Sequence, residues 1–439
     1  MTASRRCAYA VVRRVFEDGS YADRAFRVEA ERLDLEGRDR AFAMRLAYGT
    51  VQRRLTLDWL IGRLSGRPPE QLDPPVLAAL RIGLYQLAFM DGVPDHAAVS
   101  ESVDLAKHAG GGGFRLVNAV LRRATREARP LLAGLSDATP PEAALKHSHP
   151  EWIAELWWEA LGEDEARSLM ARDNEPPESA ARANLLRTTT AEVIERLAGA
   201  GVGAEADVIF PEAVVLRDPF DLHASELFAQ GLVMPQSRGS MLVGRVAGPR
   251  PGAKVLDLCA APGGKTTHLA ALMGNEGRVV AVEADRRRAE ELERNCKRLG
   301  VECVEVVVGD AVQPVFGGDF DIVLVDPPCS DLGTLQSRPD VRWRKDPAQV
   351  KELVALQRRI VAAGSQALRP GGRMVYSTCT IDPAENEALV TDLTQKDRSF
   401  RSSDLSVAYP GFARGVFLQT LPHRDGTDGF FVASLERTL

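Results

Sequence analysis

Cysteine is scarce in this chain: six among 439 residues, at positions 7, 259, 296, 303, 329 and 379. They form no Cys-x-x-Cys pair and no Cys/His cluster with zinc-finger spacing, which argues against a disulfide framework and against a structural metal. No metal is therefore expected. No stretch approaches the roughly 20 apolar residues of a membrane span, and the basic residues 1–14 lack the apolar core of a secretory signal. A cytosolic location with no membrane association is the expectation. Low-complexity tracts are also missing. What remains is an ordinary globular composition, 45% hydrophobic and 26% charged, in a chain longer than one compact core usually holds.

The formal net charge of −6 speaks weakly against a nucleic-acid partner, but it hides an asymmetry. Residues 1–136 carry 21 Lys+Arg against 16 Asp+Glu, a balance of +5, so the remainder stands at −11. A basic front half on an acidic body suits an RNA-docking module joined to an enzyme. Residues 1–135 read as helices, with apolar positions at helical spacing through Leu46, Val51, Leu55 and Leu60 and again through Val76, Leu80, Leu84 and Leu87. Asp73-Pro74-Pro75 starts one helix, and residues 114–129 form another after the glycine run 110–113. Residues 130–150 suit a linker. From 145 to 240 helix and strand signals mix around Trp152, Trp157 and Trp158, which predicts a small α+β subdomain with those tryptophans in its core.

From 241 to the end the pattern is an α/β alternation. Residues 254–258, 278–283, 303–308, 321–326 and 373–378 read as strands, and 265–273, 285–299, 314–317 and 347–368 as helices. That order calls for a parallel sheet covered on both faces. Residues 415–421 and 429–435 add two strands. Ligands of such sheets bind beyond the carboxyl ends of the strands. The first strand runs into Cys259-Ala260-Ala261-Pro262-Gly263-Gly264-Lys265, where glycines admit close backbone approach and a helix N-terminus follows. The P-loop and the dinucleotide spacing are both absent. Glu283 ends the second strand, where ribose hydroxyls are gripped, and Asp310 follows the third, suited to an adenine edge. A nucleoside-bearing cofactor without a pyrophosphate fits. The fourth and fifth strands end in Asp326-Pro327-Pro328-Cys329 and Ser377-Thr378-Cys379, which brings two cysteines to one cleft.

The string 257–266, the Pro-Cys-Ser and Thr-Cys-Thr pair, and the ending 421–431, Leu-Pro-His-Arg-Asp-Gly-Thr-Asp-Gly-Phe-Phe, resemble the Sun family of RNA cytosine-5 methyltransferases. Asp39-Arg40-Ala41-Phe42 and residues 117–123 are similar to the NusB-like RNA-binding domain that members acting on bacterial small-subunit ribosomal RNA carry. The resemblance implies an all-α NusB-like domain (1–135), a small α+β RNA-binding subdomain (145–240) and a Rossmann-like, seven-stranded methyltransferase domain (241–439). It implies S-adenosyl-L-methionine against residues 259–265, Glu283, Asp310 and Asp326. It also implies that Cys379 adds to C6 of the base, that Cys329 assists removal of the C5 proton and release, and that Asp326 hydrogen-bonds the base. Small-subunit ribosomal RNA is the implied partner. A monomer is expected on other grounds, since no coiled coil or extended apolar surface stands out in the sequence.

Two strings depart from the family pattern: Asp-Pro-Pro-Cys replaces Asp-Ala-Pro-Cys, and Gln236-Ser237-Arg238-Gly239-Ser240 replaces Gln-Asp-x-Ala-Ser. The first leans towards the Asp-Pro-Pro-aromatic motif of amine-directed methyltransferases, but no aromatic stands at 329. Transfer RNA as substrate, and a NusB-like assembly factor with a dispensable active site, are the other readings. Arg338, Arg342 and Arg344 around Trp343 form a basic–aromatic run suited to gripping RNA phosphate. Cys7, Cys296 and Cys303 are expected to be packing residues.

Overall fold

The computed structural model describes residues 1–108, 110, 112–313 and 317–438. The chain divides into two compact units, 1–176 with 335–344, and 177–334 with 345–439.

The first unit is helical. It contains α1 (Ala3–Glu17), α2 (Ala22–Arg32), α3 (Gly37–Gln52), α4 (Arg54–Ser65), α5 (Pro74–Phe89), α6 (Asp95–His108), α7 (Phe114–Ala133), α8 (Pro140–His147), α9 (Glu151–Leu161) and α10 (Glu163–Arg172). The helical periodicity of the sequence is spent on one core, in which Leu46, Leu57, Leu60, Ile61, Leu80 and Ile82 are fully buried. Trp157 is fully buried, within this helical unit and not in the core of a separate α+β subdomain, and Trp158 lies under the Arg167 guanidinium at 4.7 Å. The stretch read as a linker is largely helix. Pro130 sits inside α7, and Thr139 opens α8 with a capping box in which Glu142 accepts the Thr139 backbone N–H at 3.1 Å. Prolines at the first positions of α8 look like linker composition yet are compatible with a helix start.

The basic–aromatic run is a correction too. Residues 335–344 belong to the helical unit, and Arg342 is fully buried there. Its guanidinium donates to the carbonyls of Ser148 at 3.1 Å, Asp173 at 3.0 Å and Leu335 at 3.2 Å, and to Asn174 Oδ1 at 3.0 Å. Trp343 Nε1 donates to the Val51 carbonyl at 2.7 Å, and Arg344 pairs with Asp340. These groups satisfy helix-end carbonyls and have little left for RNA phosphate.

The second unit holds two sheets. The first is four-stranded and antiparallel, ordered β2-β3-β1-β4, from β1 (Ala180–Ala183), β2 (Ala204–Ala206), β3 (Ala213–Leu216) and β4 (Val233–Pro235). The second contains β5 (Lys254–Leu258), β6 (Arg278–Glu283), β7 (Val304–Val308), β8 (Phe320–Val325), β9 (Leu368–Thr378), β10 (Phe400–Ser402), β11 (Ala413–Arg414), β12 (Phe417–Gln419) and β13 (Phe431–Arg437). Its order is β11-β12-β13-β9-β8-β5-β6-β7, with β10 beside β13, so it has nine strands where seven were expected. The additional strands, β10 and β11, span three and two residues, too short for a periodicity to show. Strands β5 to β9 are parallel, and β13 runs antiparallel to β9. Helices Gly264–Leu272, Arg286–Leu299 and Pro347–Ala367 fall where the alternation placed them. The helix expected at 314–317 lies mostly outside the described residues. Among the described residues no helix is long and apolar enough to cross a membrane.

Arg342→Ala strips several buried carbonyls of their donors at once. It should cost roughly 3–5 kcal/mol of stability, seen in chemical denaturation followed by circular dichroism. A loss below about 1 kcal/mol would return Arg342 to the surface role read from the sequence.

Candidate active site

The cofactor end of the site is built at the carboxyl end of β5. Asp257 is buried, with Thr266 Oγ1 donating to Oδ2 at 2.6 Å. Burial, together with the neighbouring Asp326 and Glu283 carboxylates, pushes its pKa up to about 7 despite the Thr266 hydrogen bond and Lys265. Cys259 turns the chain in a left-handed conformation, φ 67°, and its thiol is pushed up to about 12, chiefly by burial. Ala260 and Ala261 are buried, Pro262 is exposed, and Gly263 and Gly264 lead into the helix that carries Lys265. Glu283, at the end of β6, accepts the Ala261 N–H at 3.3 Å and the Asp285 N–H at 3.0 Å. Gly309 N–H donates to the Glu283 carbonyl at 3.0 Å, which sets exposed Asp310 beside that strand end.

The reacting end lies across β8 and β9. Asp326 accepts Lys265 Nζ at 2.7 Å and Ser377 Oγ at 2.7 Å, and Lys265 Nζ sits 4.9 Å from the centre of the Phe430 ring. Burial works against the charge on Lys265, but Asp326 overrides it and holds the ammonium above its ordinary range. The two cysteines meet: Cys329 Sγ is 3.2 Å from Cys379 Sγ, with Cys329 only 5% exposed. Contact with Cys379 favours ionisation of Cys329, but burial and the Asp331 and Glu385 carboxylates outweigh it and raise that thiol. The chain after Cys329 is pinned from three sides. Ser330 N–H donates to Glu385 Oε2 at 2.9 Å, Gly333 N–H to the Cys379 carbonyl at 2.9 Å, and Gly429 N–H to the Gly333 carbonyl at 2.7 Å. A Cβ on Gly333 would stand 2.0 Å from the Gly429 carbonyl oxygen, so only glycine fits.

Residues 2–126 match the NusB family, 149–223 the ferredoxin-like domain of RsmF/B-like methyltransferases, and 245–436 the 16S rRNA methyltransferase RsmB/F family. The chain is 36% identical to the probable ribosomal RNA small subunit methyltransferase B of Synechocystis, over the whole of both chains. Its identity to the Bacillus subtilis protein of the same name is 32%, over 99% of each. The crystal structure of PH0851 superposes with a TM-score of 0.85 at 28% identity, covering 99% of this chain and 98% of that one. The chain belongs to the RsmB/F family of 16S rRNA methyltransferases. Its activity is S-adenosylmethionine-dependent methylation of ribosomal RNA.

The residues present fit that cofactor. A sulfonium cation carrying a ribose diol and an adenine would be met there by acidic groups, Asp257, Glu283, Asp310 and Asp326. Asp257 Oδ1 is buried without a hydrogen-bond partner, an unspent acceptor beneath the loop. Sequence reasoning missed three supports. Arg182, fully buried on β1, donates to the Gly264 carbonyl at 2.6 Å, Gln236 Oε1 at 2.8 Å and Thr267 Oγ1 at 2.8 Å, fixing the start of the cofactor helix. Glu385 holds the Cys329 turn, and Asp331 points at both thiols. A lone Arg in Ala-Ala-Arg-Ala carries no signal of this kind. The departure at 236–240 is structural: Arg238 pairs with Glu178 and Asp207, and a Cβ on Gly239 would stand 2.7 Å from the Asp428 carbonyl.

Because the folded chain holds the Asp257 proton more tightly than the unfolded chain, its contribution to stability is complete below pH about 4 and lost as pH rises to about 7. Asp257→Asn should therefore gain on wild type across that window by roughly 2–4 kcal/mol, measured by thermal unfolding at several pH values without cofactor. A constant difference between the two would contradict the raised pKa.

Proposed function

We propose that the enzyme methylates carbon 5 of a cytosine in small-subunit ribosomal RNA through a covalent adduct between Cys379 and C6. The observation that carries the reading is the 3.2 Å pair of thiols at the ends of adjacent parallel strands. Cytosine C5 is too weak a nucleophile to take a methyl group unaided, and a sulfur added at C6 makes C5 enamine-like. S-adenosylmethionine supplies an electrophilic methyl group and a positive charge. Asp326, oriented by Lys265 and Ser377, is placed to accept from the base's exocyclic amine or its protonated ring nitrogen. The base must leave its stack to present C6 to Cys379. Cys329 then takes the C5 proton while its own thiol proton passes to the departing Cys379 sulfur. A raised pKa makes Cys329 the better base once that proton is gone. Asp-Pro-Pro-Cys does not favour amine chemistry, since position 329 offers a buried thiol where amine-directed enzymes stack the base on a ring.

Incubated with labelled S-adenosylmethionine and unmodified small-subunit RNA, wild type should yield 5-methylcytidine. Cys379→Ala should lose at least about 10³-fold, and Cys329→Ala should accumulate a protein–RNA adduct on denaturing gels. Product from Cys379→Ala would sink the adduct; methylation of transfer RNA alone would move the substrate.

The helical unit brings cations to RNA. A groove between α6 and α7 is lined by Lys107, Arg122 and Arg126 among others. Arg122→Glu with Arg126→Glu should weaken RNA binding and flatten the slope of log affinity against log salt by about 2, in filter-binding titrations. An unchanged slope would place the RNA elsewhere.

A further inference from the structure

Cys379 needs somewhere to put its proton, because a thiol with a pKa of about 8.5 is mostly protonated at neutral pH. The side chain beside it is Asp331, two residues beyond Cys329. Cys379 Sγ donates to Asp331 Oδ1 at 2.9 Å, and Cys329 Sγ lies 3.7 Å from the same oxygen. Asp331 occupies the left-handed region, φ 61°, which costs a non-glycine residue energy unless the surroundings impose it. They do: the Asp331 carbonyl accepts Thr334 N–H at 3.0 Å and Thr334 Oγ1 at 2.9 Å, and Gly333 N–H is tied to the Cys379 carbonyl. The strained turn thus aims the carboxylate at the two sulfurs.

Resting on the carbon-5 reading, we propose that Asp331 is the general base that takes the thiol proton of Cys379. As the Cys379 sulfur pair forms the S–C6 bond, the S–H proton moves to Asp331 Oδ1. The C5=C6 pair shifts to C5 and forms the new bond to the methyl group, whose old bonding pair stays on the cofactor sulfur. On elimination the C5–H pair restores C5=C6 and the S–C6 pair returns to Cys379. Cys329 protonates that sulfur and takes the C5 proton. Asp331 gives its proton to water, the one proton the net reaction releases. While Cys379 is ionised, the Cys329 S–H donates to it across 3.2 Å.

The charged and titratable groups around this pair come from several elements. Lys265 acts on Cys379 from the cofactor helix, Asp326 holds Lys265, Glu385 acts on Cys329, and Lys345 Nζ reaches the Cys329 carbonyl at 3.5 Å. An Asp331 that merely positions the thiol, or merely repels the thiolate, predicts the opposite sign from a base. Removing its charge would then leave thiolate formation equal or easier, and the rate equal or faster.

The experiment is single-turnover methyl transfer to small-subunit RNA, with a chelator present, for wild type and Asp331→Asn between pH 6 and 9.5. Asparagine tolerates the left-handed backbone and still accepts the S–H, but cannot take the proton. We expect Asp331→Asn to fall about 10²-fold at pH 7 and to recover about tenfold per pH unit towards pH 9, while wild type stays nearly flat. Asp331→Gly, which suits the same φ, should show the same profile and covers misfolding of the first variant. A wild-type rate and pH profile in both variants would overturn the role of Asp331 and leave the carbon-5 reading standing. If wild type makes no 5-methylcytidine, or Cys379→Ala makes as much as wild type, both fall together.

Discussion

The meeting of Cys329 with Cys379 depends on the parallel pairing of β8 with β9. Val325 stands opposite Tyr376 in that ladder, and neighbouring strands lie under 5 Å apart. Two segments that are fifty residues apart in the chain therefore end side by side. From these ends the segments after Val325 and Thr378 deliver Cys329 and Cys379 to one point. A slip of one residue in this register would send alternate side chains to the opposite face and part the two thiols. The surrounding contacts guard that register. Antiparallel β13 pairs Phe431 with Thr378, Gly333 and Gly429 meet backbone to backbone, and Asn386 Nδ2 donates to the Thr380 carbonyl at 3.1 Å.

Charge is distributed to suit the two ends of the cleft. The cofactor end gathers carboxylates, one of them held half-protonated near neutrality, against a ligand that brings positive charge. At the thiol end two ammonium groups come close: Lys265, spent on Asp326, and Lys345, whose Nζ reaches the Cys329 carbonyl at 3.5 Å. Burial raises Cys259 far beyond the physiological range, while Cys379, half-exposed at the cleft, has a carboxylate acceptor and a thiol donor. Among cysteines of one chain, environment and not residue type sets how readily a thiol ionises.

Much of this was legible in the chain. Periodicity marked the first 135 residues as helical, placed the helices that start at Pro74 and Phe114, and located the strands of the parallel sheet to within a few residues, because buried strands and amphipathic helices write their burial into composition. The cysteine pair was legible because strand-end position in an α/β sheet is itself a functional coordinate. Other features were misread or missed. Pro, Ala and Ser at 130–150 suggested a linker, yet prolines at a helix start and a capping box make helix there. Arg342 and Trp343 looked like an RNA grip, yet Arg342 is fully buried and both side chains donate to groups of the helical unit itself. Arg182 and Asp331 carried no local signal, since the contacts that matter, Arg182 with Thr267 and Asp331 with Cys379, join residues 85 and 48 positions apart in the chain.

The sequence by itself determined the local elements, the order of strands and helices, the glycine loop, the two cysteine turns and the family to which the chain belongs. These are properties of composition and short-range spacing, which backbone propensity and burial translate directly into structure. Only the tertiary structure decided which polar groups are spent and which are available. A guanidinium, a carboxylate or a thiol reads the same in any string of letters. Whether it is buried against carbonyls, as Arg342 is, or aimed at a pair of thiols, as Asp331 is, depends on desolvation and on partners that only the folded chain brings within hydrogen-bond distance.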